Sequence, residues 1–141
     1  GEQVISAPII KDLGLEPIPT GYILLDGGAV TSVEFMSGTR PIPMEKKDIV
    51  ASHALAGQYL GMKSIYLEAG SGAKNHVTEE IIEFVSDFIS IPIIVGGGIS
   101  SPKIASKLVK AGASIIVIGT AIENELDLMF DFAKAIHWKD K

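Results

Sequence analysis

The sequence predicts an α/β fold in which parallel strands alternate with helices, and three observations predict it. Short apolar runs recur at residues 21–25, 64–68, 91–95 and 115–118, glycine-bearing turns follow them, and helical apolar periodicity returns after each turn. Alternation of this kind means parallel strands joined by right-handed crossovers, either in a barrel or in a doubly wound sheet. The pattern alone leaves both open.

Composition sets the bounds. With 141 residues, 47% of them hydrophobic, and a mean hydropathy of +0.35, the chain has material for one buried core and is not disordered. A net charge of -5, with the basic residues scattered, leaves no electrostatic footprint for nucleic acid, so an anionic ligand must be held locally. The absence of cysteine excludes disulfides and thiol-bound metals, and suits the cytoplasm. Apolar runs such as 115–118 fall far short of the roughly 20 residues that span a bilayer. No charged-then-apolar leader is expected at the start, which leaves a soluble protein with contact to a membrane surface still open.

Taken in order, Val4, Ile5, Pro8, Ile9 and Leu13 form an apolar-periodic stretch stopped by Gly14 and blocked by Pro17, so the chain opens inside a helix. The run at 21–25, bounded by Pro19 and by Asp26-Gly27-Gly28, reads as a buried strand. A long loop ending in Arg40-Pro41-Ile42-Pro43 is expected next. A helix then spans 45–60, with Ile49, Ala54, Leu55, Ala56 and Tyr59 as its apolar face and Gly61 as its stop. Three further units follow: strand 64–68 with helix 78–89, strand 91–95 with helix 102–111, and strand 115–118 with a terminal helix 124–138. An eight-stranded barrel needs about 250 residues, and four strands entered from mid-helix make about half of one. The expectation is therefore one domain over 1–141, the C-terminal half of a phosphate-binding (β/α)8 TIM barrel. It would pair with a missing N-terminal half or with another copy, because an open four-stranded sheet leaves two edges and one face bare.

Strand ends in parallel sheets face the ligand crevice. Gly96-Gly97-Gly98 lies between a strand and a helix start marked by Ser100, Ser101 and Pro102, so unpaired amides and a positive helix end converge there. Gly119-Thr120, at the next strand end, adds an amide and a hydroxyl to the same anion. The plain alternative is that these glycines only make tight turns. In Tyr66-Leu67-Glu68-Ala69-Gly70-Ser71-Gly72, strand alternation puts Tyr66 and Glu68 on one face and Leu67 on the other. A carboxylate on an apolar strand end is costly unless paired or used, so Glu68 is either a working group or half of a structural ion pair.

Those stretches also carry a resemblance. Gly21-Tyr22, Arg40-Pro41-Ile42-Pro43, Leu60-Gly61-Met62-Lys63, residues 66–72, residues 94–99 and Val117-Ile118-Gly119-Thr120 resemble, in order and spacing, geranylgeranylglyceryl phosphate synthase and its bacterial heptaprenyl relative. The resemblance covers essentially the whole chain. It implies a prenyltransferase of archaeal-type ether-lipid synthesis that joins a prenyl diphosphate to sn-glycerol 1-phosphate and releases diphosphate, with Mg2+ assisting. It implies that Glu68 is catalytic. It also implies that Tyr66, Leu67, Glu68, Ala69, Gly70, Ser71 and Gly72 line the substrate site while Gly97, Gly98, Gly119 and Thr120 cradle the phosphate; Tyr22, on the preceding strand, is either a further contact to that substrate or a core tyrosine. The family's Mg2+-binding acids and a phosphate-contacting lysine lie on early strands with no counterpart here, so no metal ligand is expected in this chain and a homo-oligomer or a second half is.

Other residues are read as structural. His53, His76 and His137 have no metal-pair spacing. Glu79 and Glu80 after Thr78 mark a capped helix start rather than an acid/base dyad, and Asp26 serves turn geometry. Phe130, Phe132 and Trp138 suit helix packing or a subunit contact. A phosphosugar isomerase or lyase on the same barrel, or an inactive barrel fragment, are the competing readings.

Overall fold

The computed structural model describes residues 2–137. Its elements run α1 (Glu2–Asp12), β1 (Thr20–Leu24), α2 (Ser32–Ser37), α3 (Lys47–Tyr59), β2 (Ser64–Glu68), α4 (Glu79–Phe88), β3 (Ile93–Gly96), α5 (Pro102–Lys110), β4 (Ile115–Val117), α6 (Thr120–Asn124) and α7 (Leu128–Ile136).

The four strands form one parallel sheet in the order β1-β2-β3-β4. A doubly wound sheet reverses its strand order at a switch point, and this one never does. Successive crossovers of one hand therefore lay their helices on one face. Side-chain alternation agrees: Ile23, Ile65, Leu67, Ile93 and Val95 are buried under the helices in one core with Val50, Ile81, Ile82, Val85 and Leu108. Each such side chain is worth about 1.5–3 kcal/mol of burial. The opposite face carries the register rows Tyr22–Tyr66–Ile94–Ile115 and Leu24–Glu68–Gly96–Val117. It stays open, with Tyr22 47%, Ile115 50% and Val117 42% exposed.

Helix starts follow their caps. The Thr78 hydroxyl accepts from the Ile81 amide at 3.4 Å and the Ser101 hydroxyl from Ile104 at 3.4 Å, with Pro102 at the first helical position. Glu79 and Glu80 make ion pairs across the helix layer, with Lys107 and Lys47 respectively, and the Lys47 ammonium lies 5.2 Å from the Phe84 ring centre.

Three expectations need correction. The connection after β1 is not an unbroken loop: it holds α2, whose cap Thr31 accepts from Glu34 at 3.3 Å, a Thr-x-x-Glu start between Gly28 and Gly38. The buried stripe of α3 is Val50, Ala51 and Ala54, with Leu55 only partly packed, whereas Ala56 is exposed, Ile49 is 41% exposed and Tyr59 78%. Small side chains let this helix approach β2, where a Cβ on Gly57 would lie 2.9 Å from Ile65 Cδ1. The terminal helix is two pieces, because Glu125 adopts an extended conformation between α6 and α7. Trp138 lies outside the described residues. Phe132 packs in the core at 1% exposure, while Phe130 is 71% exposed.

Candidate functional site

The C-terminal ends of β2, β3 and β4 open into one cavity of about 620 Å3. Tyr66 and Glu68 reach it from β2, Ser71 and Gly72 from the following turn, Gly97, Gly98 and Ser100 from the turn after β3, and Gly119 and Thr120 from the β4–α6 junction.

Glu68 is 7% exposed and keeps its place through hydrogen bonds rather than an ion pair. The Gly70 amide donates to its Oε1 at 2.6 Å, and the Tyr66 hydroxyl donates to the same carboxylate. Among the described residues no ion pair is seen at Glu68; Lys47 pairs with Glu80 and Lys107 with Glu79. A carboxylate offers about four acceptor positions, which leaves free ones for a ligand in the cavity. Room for this pair comes from the neighbouring strand: a Cβ on Gly96 would run into the Tyr66 hydroxyl and lie 3.0 Å from Glu68 Oε2.

Tyr22 packs edge-on against Tyr66, with ring centres 5.1 Å apart. Burial first, then the Glu68 charge, pushes the Tyr22 phenol from 10.0 up to about 12. Tyr66 is raised too, by burial first and then by its hydrogen bond to Glu68. Both phenols thus stay neutral at physiological pH. Tyr66 remains a donor to Glu68 rather than a second anion beside it.

The glycines divide into two kinds. Gly97 has φ +84°, and a Cβ there would lie 2.6 Å from Glu68 Oε1 and 2.5 Å from the Gly70 amide nitrogen, so the chain itself requires glycine. Gly119 has φ −108°, and its nearest neighbour would be Glu123 Oε1 at 3.7 Å, an ordinary contact. Turn geometry explains Gly97 but not Gly119. The amides of Gly97, Gly98 and Gly119 have no backbone carbonyl partner among the described residues, and the first amides of α5 and α6 lack intrahelical acceptors.

Not every expected residue arrives. Leu67 and Ala69 are fully buried on the helix-covered face, Gly70 is occupied in holding Glu68, and Tyr22 buttresses Tyr66 without lining the cavity. Arg40 stays in an exposed loop, and the Asp26 Oδ1 accepts from the Gly28 amide at 2.9 Å, the expected turn role. Sequence reasoning missed Asn124, Glu125 and Leu128, which line the far wall. They sit at the break between α6 and α7, and a continuous helix would have carried them elsewhere. Among the described residues no three His, Cys, Asp or Glu side chains converge as metal ligands. His53 and His76 each pair a ring nitrogen with a backbone carbonyl at 2.8 Å.

Among the described residues no helix is long and apolar enough to cross a membrane. The chain is similar to geranylgeranylglyceryl phosphate synthase from Chitinophaga pinensis, 51% identical over 137 residues that make up 97% of this chain and 54% of that protein. It is 50% identical over 128 residues to the synthase from Pyrococcus horikoshii, covering 91% of this chain and 50% of that one. The crystal structure of (S)-3-O-geranylgeranylglyceryl phosphate synthase from Thermoplasma acidophilum, in complex with its substrate sn-glycerol-1-phosphate, superposes with a TM-score of 0.90 at 36% identity, over 96% of this chain and 56% of that one. The chain thus spans about half the length of the relatives it matches. With a singly wound sheet whose glycine junctions and buried carboxylate share one cavity, and with the PcrB family model matching residues 1–137, the chain belongs to the PcrB family.

Proposed function

We propose that this chain is the acceptor-binding half of a prenyltransferase: the last four βα units of a (β/α)8 barrel, holding sn-glycerol 1-phosphate while a geranylgeranyl or related prenyl group is transferred to it from a prenyl diphosphate. Glu68 carries this conclusion, as a buried carboxylate without a cation partner among the described residues that opens into the same cavity as the Gly97, Gly98, Gly119 and Thr120 amides. The amides bind the phosphate. Glu68 binds the glycerol hydroxyls, with Tyr66 and the Gly70 amide fixing its orientation. In the transfer, a new bond forms between the acceptor's primary hydroxyl oxygen and the allylic carbon as the bond from that carbon to diphosphate breaks; the hydroxyl proton passes to Glu68 and the diphosphate leaves.

Two observations support the half-barrel: the sheet winds in one direction only, and its inner face, with Tyr22, Ile115 and Val117, stands open. The other half, or a second copy, covers that face in the working enzyme and supplies whatever binds the donor's diphosphate and any Mg2+. A cysteine-free chain acting on a small phosphate ester fits a cytoplasmic enzyme that meets its prenyl donor at a membrane surface.

The test is Glu68→Gln in the assembled enzyme, followed by labelled-prenyl transfer. The amide keeps one oxygen for the Gly70 donor and costs the fold about 1 kcal/mol. Turnover falls at least tenfold, as expected for loss of a positioned base. Near-normal turnover removes Glu68 from that role, and an assembled wild-type enzyme that transfers no labelled prenyl group overturns the function.

A further inference from the structure

We infer that Thr31 is a positioning residue for Glu68: its methyl group fills the space beside Gly70 and so sets the aim of the Gly70 amide that holds the carboxylate. The inference rests on reading Glu68 as the group that grips the glycerol hydroxyls. Its starting point is a glycine turn that cannot hold itself. Gly70 has φ +100° and Gly72 φ +72°. Glycine visits positive φ about as readily as negative φ, so the neighbours must choose the direction of the Gly70 N–H. That direction matters because the amide donates to Glu68 Oε1 at 2.6 Å, the short distance of a bond to a charged acceptor.

Those neighbours come from the connection after β1 and from the turn after β3. The Gly27 carbonyl accepts from the amides of Lys74 at 3.0 Å and Asn75 at 3.1 Å, and a Cβ on Gly27 would strike the Ala69 carbonyl oxygen. The connections after β1 and β2 therefore pack backbone against backbone. Thr31 adds the side chain. A Cβ on Gly70 would land on the Thr31 Cγ2 and lie 2.9 Å from its Cβ, so the threonine occupies the place where a Gly70 side chain would stand. Gly97 closes on the amide itself: a Cβ there would lie 2.5 Å from the Gly70 nitrogen and 2.6 Å from Glu68 Oε1. Thr31, Gly70 and Gly97 thus link the connections after β1, β2 and β3, and the Glu68 carboxylate lies against both glycines.

The hydroxyl and the methyl of Thr31 act on different targets. The hydroxyl accepts from the Glu34 amide at 3.3 Å and caps α2. The methyl touches Gly70. Thr31 is buried, whereas no residue of α2 itself is. Two substitutions separate the two contacts. Thr31→Ser keeps the cap and opens a gap beside Gly70; Thr31→Val keeps the space filled and loses the cap.

The experiment compares these two variants in the assembled enzyme by labelled-prenyl transfer, thermal unfolding and the NMR resonance of the Gly70 amide proton, which lies downfield while it is bonded to a carboxylate. Thr31→Ser is expected to melt like the wild type, to show the Gly70 proton moved upfield, and to turn over roughly tenfold more slowly, the effect of a displaced working group. Thr31→Val is expected to melt lower and yet to recover most of the turnover and the wild-type Gly70 resonance. A threonine with only a structural role gives the reverse ranking, with activity following stability, and that result overturns the assignment. So does a Gly70 resonance that Thr31→Ser leaves in place. If the resonance moves in Thr31→Ser while turnover stays, Thr31 aims the amide but transfer does not depend on it, and the positioning role fails. If the assembled wild-type enzyme transfers no prenyl group, the proposed function fails, and the Gly70 resonance still decides whether Thr31 sets the contact with Glu68.

Discussion

Gly119→Ala separates a glycine kept for a ligand from one kept for the chain. At φ −108°, with its nearest neighbour 3.7 Å from the new methyl, alanine fits the free protein, and stability should stay within about 1 kcal/mol of wild type. The methyl does, however, project at the junction whose amides are proposed to hold a phosphate oxygen. A hydrogen bond to a charged group is worth about 1.5–3 kcal/mol, so displacing the oxygen weakens binding by about tenfold to a hundredfold. Gly97→Ala behaves differently. Its φ of +84° carries the left-handed cost of about 1–2 kcal/mol, with a backbone clash 2.5 Å from the Gly70 nitrogen added, so binding and folding fall together. Thermal unfolding paired with calorimetric titration of sn-glycerol 1-phosphate tells the two apart. A Gly119→Ala protein that melts like wild type and binds like wild type places the anion elsewhere, and the turn then has no role beyond reversing the chain.

The remaining predictions concern the core and the phenols. Leu67→Ala, which removes a fully buried side chain between Ile23 and Val95 in the sheet register, should cost about 2–5 kcal/mol in denaturant unfolding; a loss below about 1 kcal/mol would mean that Leu67 is not in the core. Because Tyr22 and Tyr66 have raised phenol pKa values in the fold, their contribution to stability is fully present below pH about 10 and is lost as the pH climbs toward and past 12. A near-UV tyrosinate titration of the native protein should show two late-ionising phenols, and Glu68→Gln should bring both midpoints down while burial keeps them above the ordinary value. Midpoints that Glu68→Gln leaves in place would break the proposed contact between that carboxylate and the tyrosine pair.

Much of this molecule is written in local chemistry. Apolar runs become strands because a parallel sheet buries long hydrophobic stretches, and Thr78 and Ser101 start helices because their hydroxyls accept from amides three residues on. The alternation that puts Tyr66 and Glu68 on one face and Leu67 on the other is a property of any extended strand, and it survives in the fold unchanged. Features that depend on partners distant in sequence were not legible in this way. The buried stripe of α3 was misassigned because size alone favours Ile49 and Tyr59 as core, whereas the sheet selects Val50, Ala51, Ala54 and Gly57 so that the helix can come close. The six-residue α2 is too short to show a helical period between Gly28 and Gly38, and the break at Glu125 lies inside what reads as one helix.

By itself, the sequence determined the α/β alternation, the glycine junctions and the pairing of a tyrosine with a carboxylate two residues on, since each follows from neighbours along the chain. Only the tertiary structure decided that the strands wind one way and leave a face open. It alone tied Glu68 to hydrogen bonds instead of a cation, and brought Asn124 and Glu125 round to the cavity. Those outcomes depend on which surfaces meet when the sheet closes over its helices, and no local pattern encodes that meeting.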